Sequence, residues 1–197
     1  MRKESVKRMT TTALLMALVI VLQLVSSMIP PIGGFSISLV LIPIVLGSAM
    51  YGPRTGALLG GVFGVVVAIN CVTGADAGGA MVFQANPVLC VLVVVAKGVL
   101  AGLASGVVYR LLSGVNAYAA MIAAAIVCPV VNTGFFLVCM LTFFRDVLAA
   151  WANGGEIIAY VLSGIVLCNF VPELLINVVF SPAGQTILHV YHGTLKK

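Results

Sequence analysis

The sequence predicts an all-α membrane protein, a six-transmembrane-helix bundle with both termini in the cytoplasm. Three observations predict this fold. First, hydrophobic residues make up 62% of the 197 residues and charged residues 8%, with a mean hydropathy of +1.23; a soluble domain of this length needs a more polar surface. Second, apolar runs of about 18 or more residues recur, enough to cross ~30 Å of hydrocarbon as helices. Third, most basic residues fall on one side of these runs.

The chain divides into six apolar segments of a single integral membrane domain, residues 1–197. Their predicted bounds are 9–29, 37–52, 54–71, 87–112, 116–144 and 155–180. The second is shorter than the ~20 residues that a spanning helix needs, so a re-entrant segment is its alternative. Pro43, Pro129 and Pro172 are expected to kink their helices. Residues 181–197 are expected to form a short interfacial helix or a loose tail.

The basic residues predict the orientation of the bundle. With the N-terminus inside, only Arg145 lies outside and only Lys97 lies within the bilayer. The opposite orientation would put eight cations on the wrong face, against the positive-inside bias. The eight predicted cytoplasmic cations are Arg2, Lys3, Lys7, Arg8, Arg54, Arg110, Lys196 and Lys197. The net charge of +5 therefore indicates how the chain is oriented in the membrane, and it does not indicate nucleic-acid binding.

The sequence offers little support for an enzyme or a metal centre. It holds no GxxxxGK[ST], GxSxG or HExxH pattern. His189 and His192 have a helical spacing but lack a third ligand. The five cysteines are scattered through apolar helices without a CxxC pair, as is typical of small buried hydrophobic residues. We therefore expect no cofactor and no catalytic site.

Small residues predict where helices approach one another closely. Gly56, Gly60 and Gly64 share a face of the third segment. Gly98, Gly102 and Gly106 do the same on the fourth, and internal bundle packing is the favoured interpretation of both series. Ala13 and Ala17 share a face of the first segment, directly after the basic leader. For these two alanines, the sequence leaves two interpretations: docking of a partner subunit and packing within the bundle.

Polar residues inside the bilayer are costly unless they face protein or water. Lys97 lies about ten residues, or ~15 Å, from the outer end of the fourth segment, so we expect it to face the interior. Asn132 lies at a similar depth, and Asn169, Glu173 and Asn177 recur every four residues on the sixth segment. Lys97 either makes a structural contact with an amide or with Glu173, or presents a cation to an anionic ligand from outside.

Two outer loops are candidate lids over such a ligand. Residues 72–86 hold three glycines with Phe83, Gln84 and Asn86 and no basic residue. Phe35 lies between Gly and Ser residues in the first outer loop. Glycine gives a lid mobility, and aromatic and amide groups suit a small molecule. Ordinary exposed loops are the alternative.

Four features of the sequence, which together cover nearly the whole chain, are typical of one known family. They are the six short helices, the basic leader, the AxxxA pattern at Ala13 and Ala17, and the stretch GGFSISLVLIPIVLGSAMYGPRTGALLGGVFG. The chain resembles the S component of an energy-coupling factor (ECF) transporter. The resemblance implies a vitamin-binding membrane subunit that docks, through the alanines of helix one, on a T component with two ATPases. ATP hydrolysis is then expected to topple the S component and turn its site to the cytoplasm.

The resemblance also implies an outer ligand pocket built from helices four to six. Matched by region, it implicates Lys97, Asn132 and Asn169 in that pocket. The capping residues that it implies are Phe35, Phe83, Gln84, Asn86 and Trp151. It further implies the bacterial cell membrane as the location.

The buried lysine favours a ligand with a carboxylate or phosphate. Pantothenate is the first candidate because it combines a carboxylate, an amide and hydroxyls. Riboflavin is the second, because its flat ring could be enclosed by phenylalanine side chains, namely Phe35, Phe83, Phe135 and Phe136. Folate, lipoate and biotin stay open. A competing hypothesis is a self-sufficient secondary transporter or channel subunit that uses Lys97 and Glu173, which uptake into liposomes without an ATPase would reveal. A structural or assembly factor without a ligand is the third possibility.

Overall fold

A computed structural model of the protein describes residues 2–28 and 39–195. Every regular element within these residues is helical, and their buried side chains form one hydrophobic core. The elements are α1 (Arg2–Met28), α2 (Leu41–Tyr51), α3 (Pro53–Thr73), α4 (Ala77–Ala85), α5 (Pro87–Leu112), α6 (Ala117–Phe143), α7 (Arg145–Trp151), α8 (Ile157–Tyr160), a π-helical segment (Val161–Phe170) and α9 (Val171–Leu195).

Five helical runs in the described residues are long and apolar enough to cross a membrane. They are Ser5–Ser27, Pro53–Thr73, Pro87–Leu112, Ala117–Phe143 and Ile157–Tyr191. The predicted second segment, 37–52, appears as the 11-residue helix α2, and its first two residues lie outside the described part. Because α2 is shorter than the ~20 residues of a spanning helix, the structure supports a multi-pass bundle without confirming six spans.

The C-terminal helix corrects the predicted end at residue 180. Helix α9 continues through Ser181 and Pro182 to Leu195, where the sequence suggested a separate interfacial helix or a loose tail. Its far end stays packed because Leu188 is buried and Tyr109 Oη donates to Gln185 Oε1 at 3.4 Å. The ten-residue π-helical segment precedes Pro172, whose ring nitrogen has no hydrogen to donate to the helix ladder.

Residues 72–86 also differ from their prediction, since most of this expected flexible loop is helical. Gly74, at φ 76°, ends α3, and α4 then begins at Ala77. Asp76 caps α4 because its carboxylate accepts a hydrogen bond from Gly79 N at 3.1 Å. Val82 is buried against the core. The cap and this contact hold a short helix that its glycines disfavour.

The two glycine series bring α3 and α5 into backbone contact, which agrees with the internal packing that the sequence favoured for each series. A methyl group on Gly60 would collide with the carbonyl oxygen of Gly98, and one on Gly56 with that of Gly102. A methyl group on Gly106 would likewise collide with the backbone of Pro53. Because residue numbers rise along α3 as they fall along α5 in these contacts, the two helices run antiparallel. The close contact also fixes which side chains face each other farther along the two helices, where α3 ends and α5 begins.

Helix α1 is attached to α3 near both of its ends. Arg8 Nη2 donates to Thr55 Oγ1 at 3.4 Å, and Asn70 Nδ2 donates to Ser27 Oγ at 2.7 Å. Arg8, Arg54 and Arg110 therefore lie at one end of the bundle, which we call the basic end. The opposite end, where α1 and α3 end and α5 begins, is the cavity end.

Candidate binding cavity

A cavity of about 120 Å³ lies at the cavity end of the bundle. This is on the order of ten times the space that one water needs, so the cavity suits a small polar molecule. Its walls come from α1, α3, α5, α6 and the π-helical segment with the start of α9, and α4 and α7 form its roof.

Lys97 lies in the cavity wall, where aromatic rings contact its ammonium group. Lys97 Nζ is 4.7 Å from the centroid of the Phe136 ring and 5.9 Å from that of Phe63. Among residues 2–28 and 39–195, no carboxylate lies within 4.0 Å of this nitrogen. Aromatic faces attract a cation but do not neutralise it. The ammonium group is therefore able to bind an anion that enters the cavity.

Two carboxylates share the cavity with Lys97. Glu173, which is 2% exposed, lies in the wall near the start of α9, and Asp76 lies under the roof at the start of α4. Both interact electrostatically with Lys97, Glu173 more strongly. Lys97 lies on α5 and Glu173 on α9, and both line the same cavity.

Two buried amide oxygens in the wall have no hydrogen-bond partner among the described residues. They are Asn132 Oδ1 on α6 and Gln23 Oε1 on α1, with side chains 5% and 9% exposed. An unpaired buried acceptor costs about 1–3 kcal/mol. A ligand hydroxyl or N–H group that reached these oxygens would remove that cost. The cavity thus combines one cation with several acceptors.

The roof joins α4 to α7 through Trp151. Its indole Nε1 donates to Met81 Sδ at 3.2 Å, and its ring lies against Gly78, where a methyl group would be 3.4 Å from the ring. Trp151 also lines the cavity. The roof is therefore helical and held by an aromatic contact, where the sequence suggested mobile loops.

The structure brings four of the eight predicted pocket residues to the cavity wall: Lys97, Asn132, Asn169 and Trp151. Phe83 is half-buried and packs on the core, while Gln84 is exposed. Asn86 is exposed and accepts from Leu89 N at 3.1 Å as the N-cap of α5. Phe35 lies outside the described residues. The role of all eight in substrate binding stays a prediction.

Sequence reasoning missed several polar or thiol residues of the wall, among them Gln23, Asp76, Cys71 and Cys90. Asp76 carried a usable signal, because an aspartate before a short run of small residues is typical of a helix N-cap. Gln23 also carried one as a polar residue inside an apolar span. The two cysteines carried none, since their place in the wall depends on how α3 packs on α5.

The face of α1 that carries the two alanines is exposed in the part of the chain that the structure describes. Leu15 and Val19 are buried against the bundle, while Ala13 and Ala17 are exposed. The Ala13–Ala17 face therefore looks away from the core, so internal packing within the bundle does not explain the AxxxA pattern.

Comparison with known families identifies the chain. Residues 7–183 match the sequence model of the family described as "ECF transporter, substrate-specific component". A comparison with curated proteins finds no match. The family match spans all the walls of the cavity, from Gln23 to Glu173. The chain belongs to the family of substrate-specific components of ECF transporters.

Proposed function

We propose that this protein captures a small vitamin from outside the cell and delivers it to an ATP-driven importer. Family membership makes it a substrate-binding transporter subunit. The observation that carries the proposal is the Lys97 ammonium group, which lines a cavity without a carboxylate within 4.0 Å among the described residues. A cation inside a membrane-spanning segment is costly and typically marks a functional site.

The cavity chemistry favours a ligand with one anionic group and several hydrogen-bond donors. Lys97 would bind the anion, while Asn132 Oδ1, Gln23 Oε1 and the Glu173 carboxylate would accept from hydroxyl or amide groups. Pantothenate has this combination and is our first candidate. Riboflavin is the second, because Phe136 beside the cation and Trp151 in the roof offer ring surfaces to the cavity.

The distribution of charge supports an orientation with both termini in the cytoplasm of a bacterial cell. Arg8, Arg54 and Arg110 lie at the basic end, and Arg145 lies near the cavity end at the start of α7. The positive-inside bias favours the basic end as the cytoplasmic one. In the bacterial cell membrane the cavity would then open toward the outside.

We assign the Ala13–Ala17 face to docking on a membrane T component that carries two ATPases. Both alanines are exposed, and small side chains let another helix backbone approach closely where lipid gives no hydrophobic drive. The sequence has no phosphate-binding GxxxxGK[ST] loop, so the energy would come from those partner subunits. We therefore regard the chain as a transporter subunit without its own ATPase and not as an enzyme.

The Ala17→Trp variant should lose its T component while its own fold and ligand binding persist. The indole would project from an exposed face, where it blocks helix contact without entering the core. The measurement is co-purification with the co-expressed T component and ATPases of the same organism. Ala119→Trp, at an exposed position in the first turn of α6, is the matched control. Equal recovery of partners with Ala17→Trp and wild type would refute the docking assignment.

A further inference from the structure

A second cavity, which we call the lateral pocket, lies between α2, α6 and α9. Its volume is about 100 Å³, and its wall includes Leu46 of α2, Met121 of α6 and side chains between positions 177 and 187 of α9. None of the described residues that line it also lines the cavity around Lys97. The lateral pocket is therefore a separate space in the bundle.

The mouth of the lateral pocket faces the hydrocarbon of the bilayer. Phe180 and Ile187 line the pocket, and each side chain is 52% exposed. Both belong to the apolar helical run Ile157–Tyr191, which is long enough to cross a membrane. The outward-facing side chains of such a run contact lipid, so a molecule dissolved in the bilayer can enter the pocket from the side.

The wall holds one buried acceptor that has no hydrogen-bond partner among the described residues. This is Oδ1 of Asn177, whose side chain is 2% exposed. The other end of the same amide is paired, because Nδ2 donates to the Glu173 carbonyl oxygen at 2.8 Å. Ser181, the other polar side chain among the described residues of the wall, donates to the Val178 carbonyl oxygen at 2.7 Å. The pocket thus combines apolar walls with a single unpaired acceptor.

This combination suits an apolar ligand with one donor better than it suits water. A buried water needs two to four polar partners, whereas an apolar cavity of about 150 Å³ holds benzene. An apolar molecule without a donor would leave the Asn177 oxygen unpaired, which is costly for a buried acceptor. A hydroxyl group on an apolar body removes that cost and fills the pocket at the same time.

We propose that the lateral pocket binds the hydroxyl end of an alcohol or phenol dissolved in the membrane. The hydroxyl donates to Asn177 Oδ1, and the apolar body fills the space beside Gly184. A methyl group on Gly184 would still be 3.8 Å from Met121 and 4.0 Å from Leu46, so this part of the wall is open. A longer molecule leaves its tail in the bilayer through the mouth. The site is independent of the ligand that Lys97 binds.

The test is photolabelling of the full-length protein in lipid nanodiscs with a small phenol that carries a diazirine. Peptide mass spectrometry should place the label on residues that line the lateral pocket, between positions 177 and 187 or at their neighbours on α2 and α6. 4-Ethylphenol should compete with the label. 4-Ethylanisole has a similar shape but no donor, so it should need an about 2-fold to 13-fold higher concentration, as the loss of one hydrogen bond predicts.

Three variants separate the pocket from general partitioning into lipid. Gly184→Leu fills the pocket and should lose the label, whereas Gly134→Leu, at a position where an added methyl group meets nothing within 4 Å, should keep it. Asn177→Leu should keep the label, but the two competitors should then be equally effective. Pantothenate titration should give the same affinity for Gly184→Leu as for the wild type, so this test is separate from that of the Lys97 cavity.

Equal competition by the two compounds against the wild type would overturn the proposal, and this comparison needs no variant to fold. Label that persists in Gly184→Leu at the wild-type level would overturn it too. So would label that is spread over the lipid-facing helices and that neither compound displaces.

Discussion

Lys97→Met is expected to weaken binding of the anionic ligand by about 2–5 kcal/mol, or about 30-fold to 4,000-fold in Kd. Methionine keeps much of the length and apolar character of the side chain but removes the ammonium group that faces the cavity. The ligand anion would then be buried without a partner cation, which is the main cost of breaking such a pair. Titration calorimetry with pantothenate first, and with any ligand that the purified protein retains, measures the change.

The matched control for this prediction is Lys7→Met. Lys7 is exposed on α1 toward the basic end, so its loss removes one positive charge without touching the cavity. This control should bind as tightly as the wild type. An affinity of Lys97→Met equal to that of the wild type would remove Lys97 from the binding site.

Gly60→Ala is expected to destabilise the protein by about 1–3 kcal/mol, the usual cost of overpacking a tight contact. The added methyl group would collide with the backbone of Gly98, and neither helix backbone can yield without separating α3 from α5. These helices carry Phe63 and Lys97, so ligand binding should fall together with stability. Thermal unfolding of the purified protein, followed by fluorescence of its single tryptophan, measures the effect.

Gly134→Ala is the matched control, because a methyl group there meets nothing within 4 Å. Alanine is a better helix former than glycine, so this variant should be as stable as the wild type or more stable by about 0.5–1 kcal/mol. If Gly60→Ala unfolded at the same temperature as Gly134→Ala, the backbone contact between α3 and α5 would not be a source of stability.

The sequence predicted the long helices and part of the cavity because both follow from the membrane as solvent. The fourth segment was predicted at 87–112, and α5 has these bounds, with Asn86 as its N-cap and Pro87 in its first turn. Lys97 and Asn132 were expected to face inward because lipid cannot solvate them, and both line the cavity. The same rule predicted nothing about which inward-facing groups would lie close together.

The features that escaped prediction depend on tertiary contacts. The glycines of residues 72–86 suggested a mobile loop, but burial of Val82 and the Asp76 cap stabilise α4. Residues 181–197 were expected to form a short interfacial helix or a loose tail, but the bundle buries Ser181 and Gln185. The presence of both Cys71 and Cys90 in the cavity wall depends on the register of α3 against α5, which the glycine spacing alone does not specify.

Mass spectrometry of the small molecules released from the purified protein tests the central claim most directly. The claim is that the cavity around Lys97 holds a small anionic nutrient. The wild-type protein should release one anionic compound in near-stoichiometric amount, and Lys97→Met, purified in parallel, should release little or none of it. A wild-type protein that carries no such compound and binds none of the candidate vitamins, or a Lys97→Met variant that retains the same compound in the same amount, would contradict the claim.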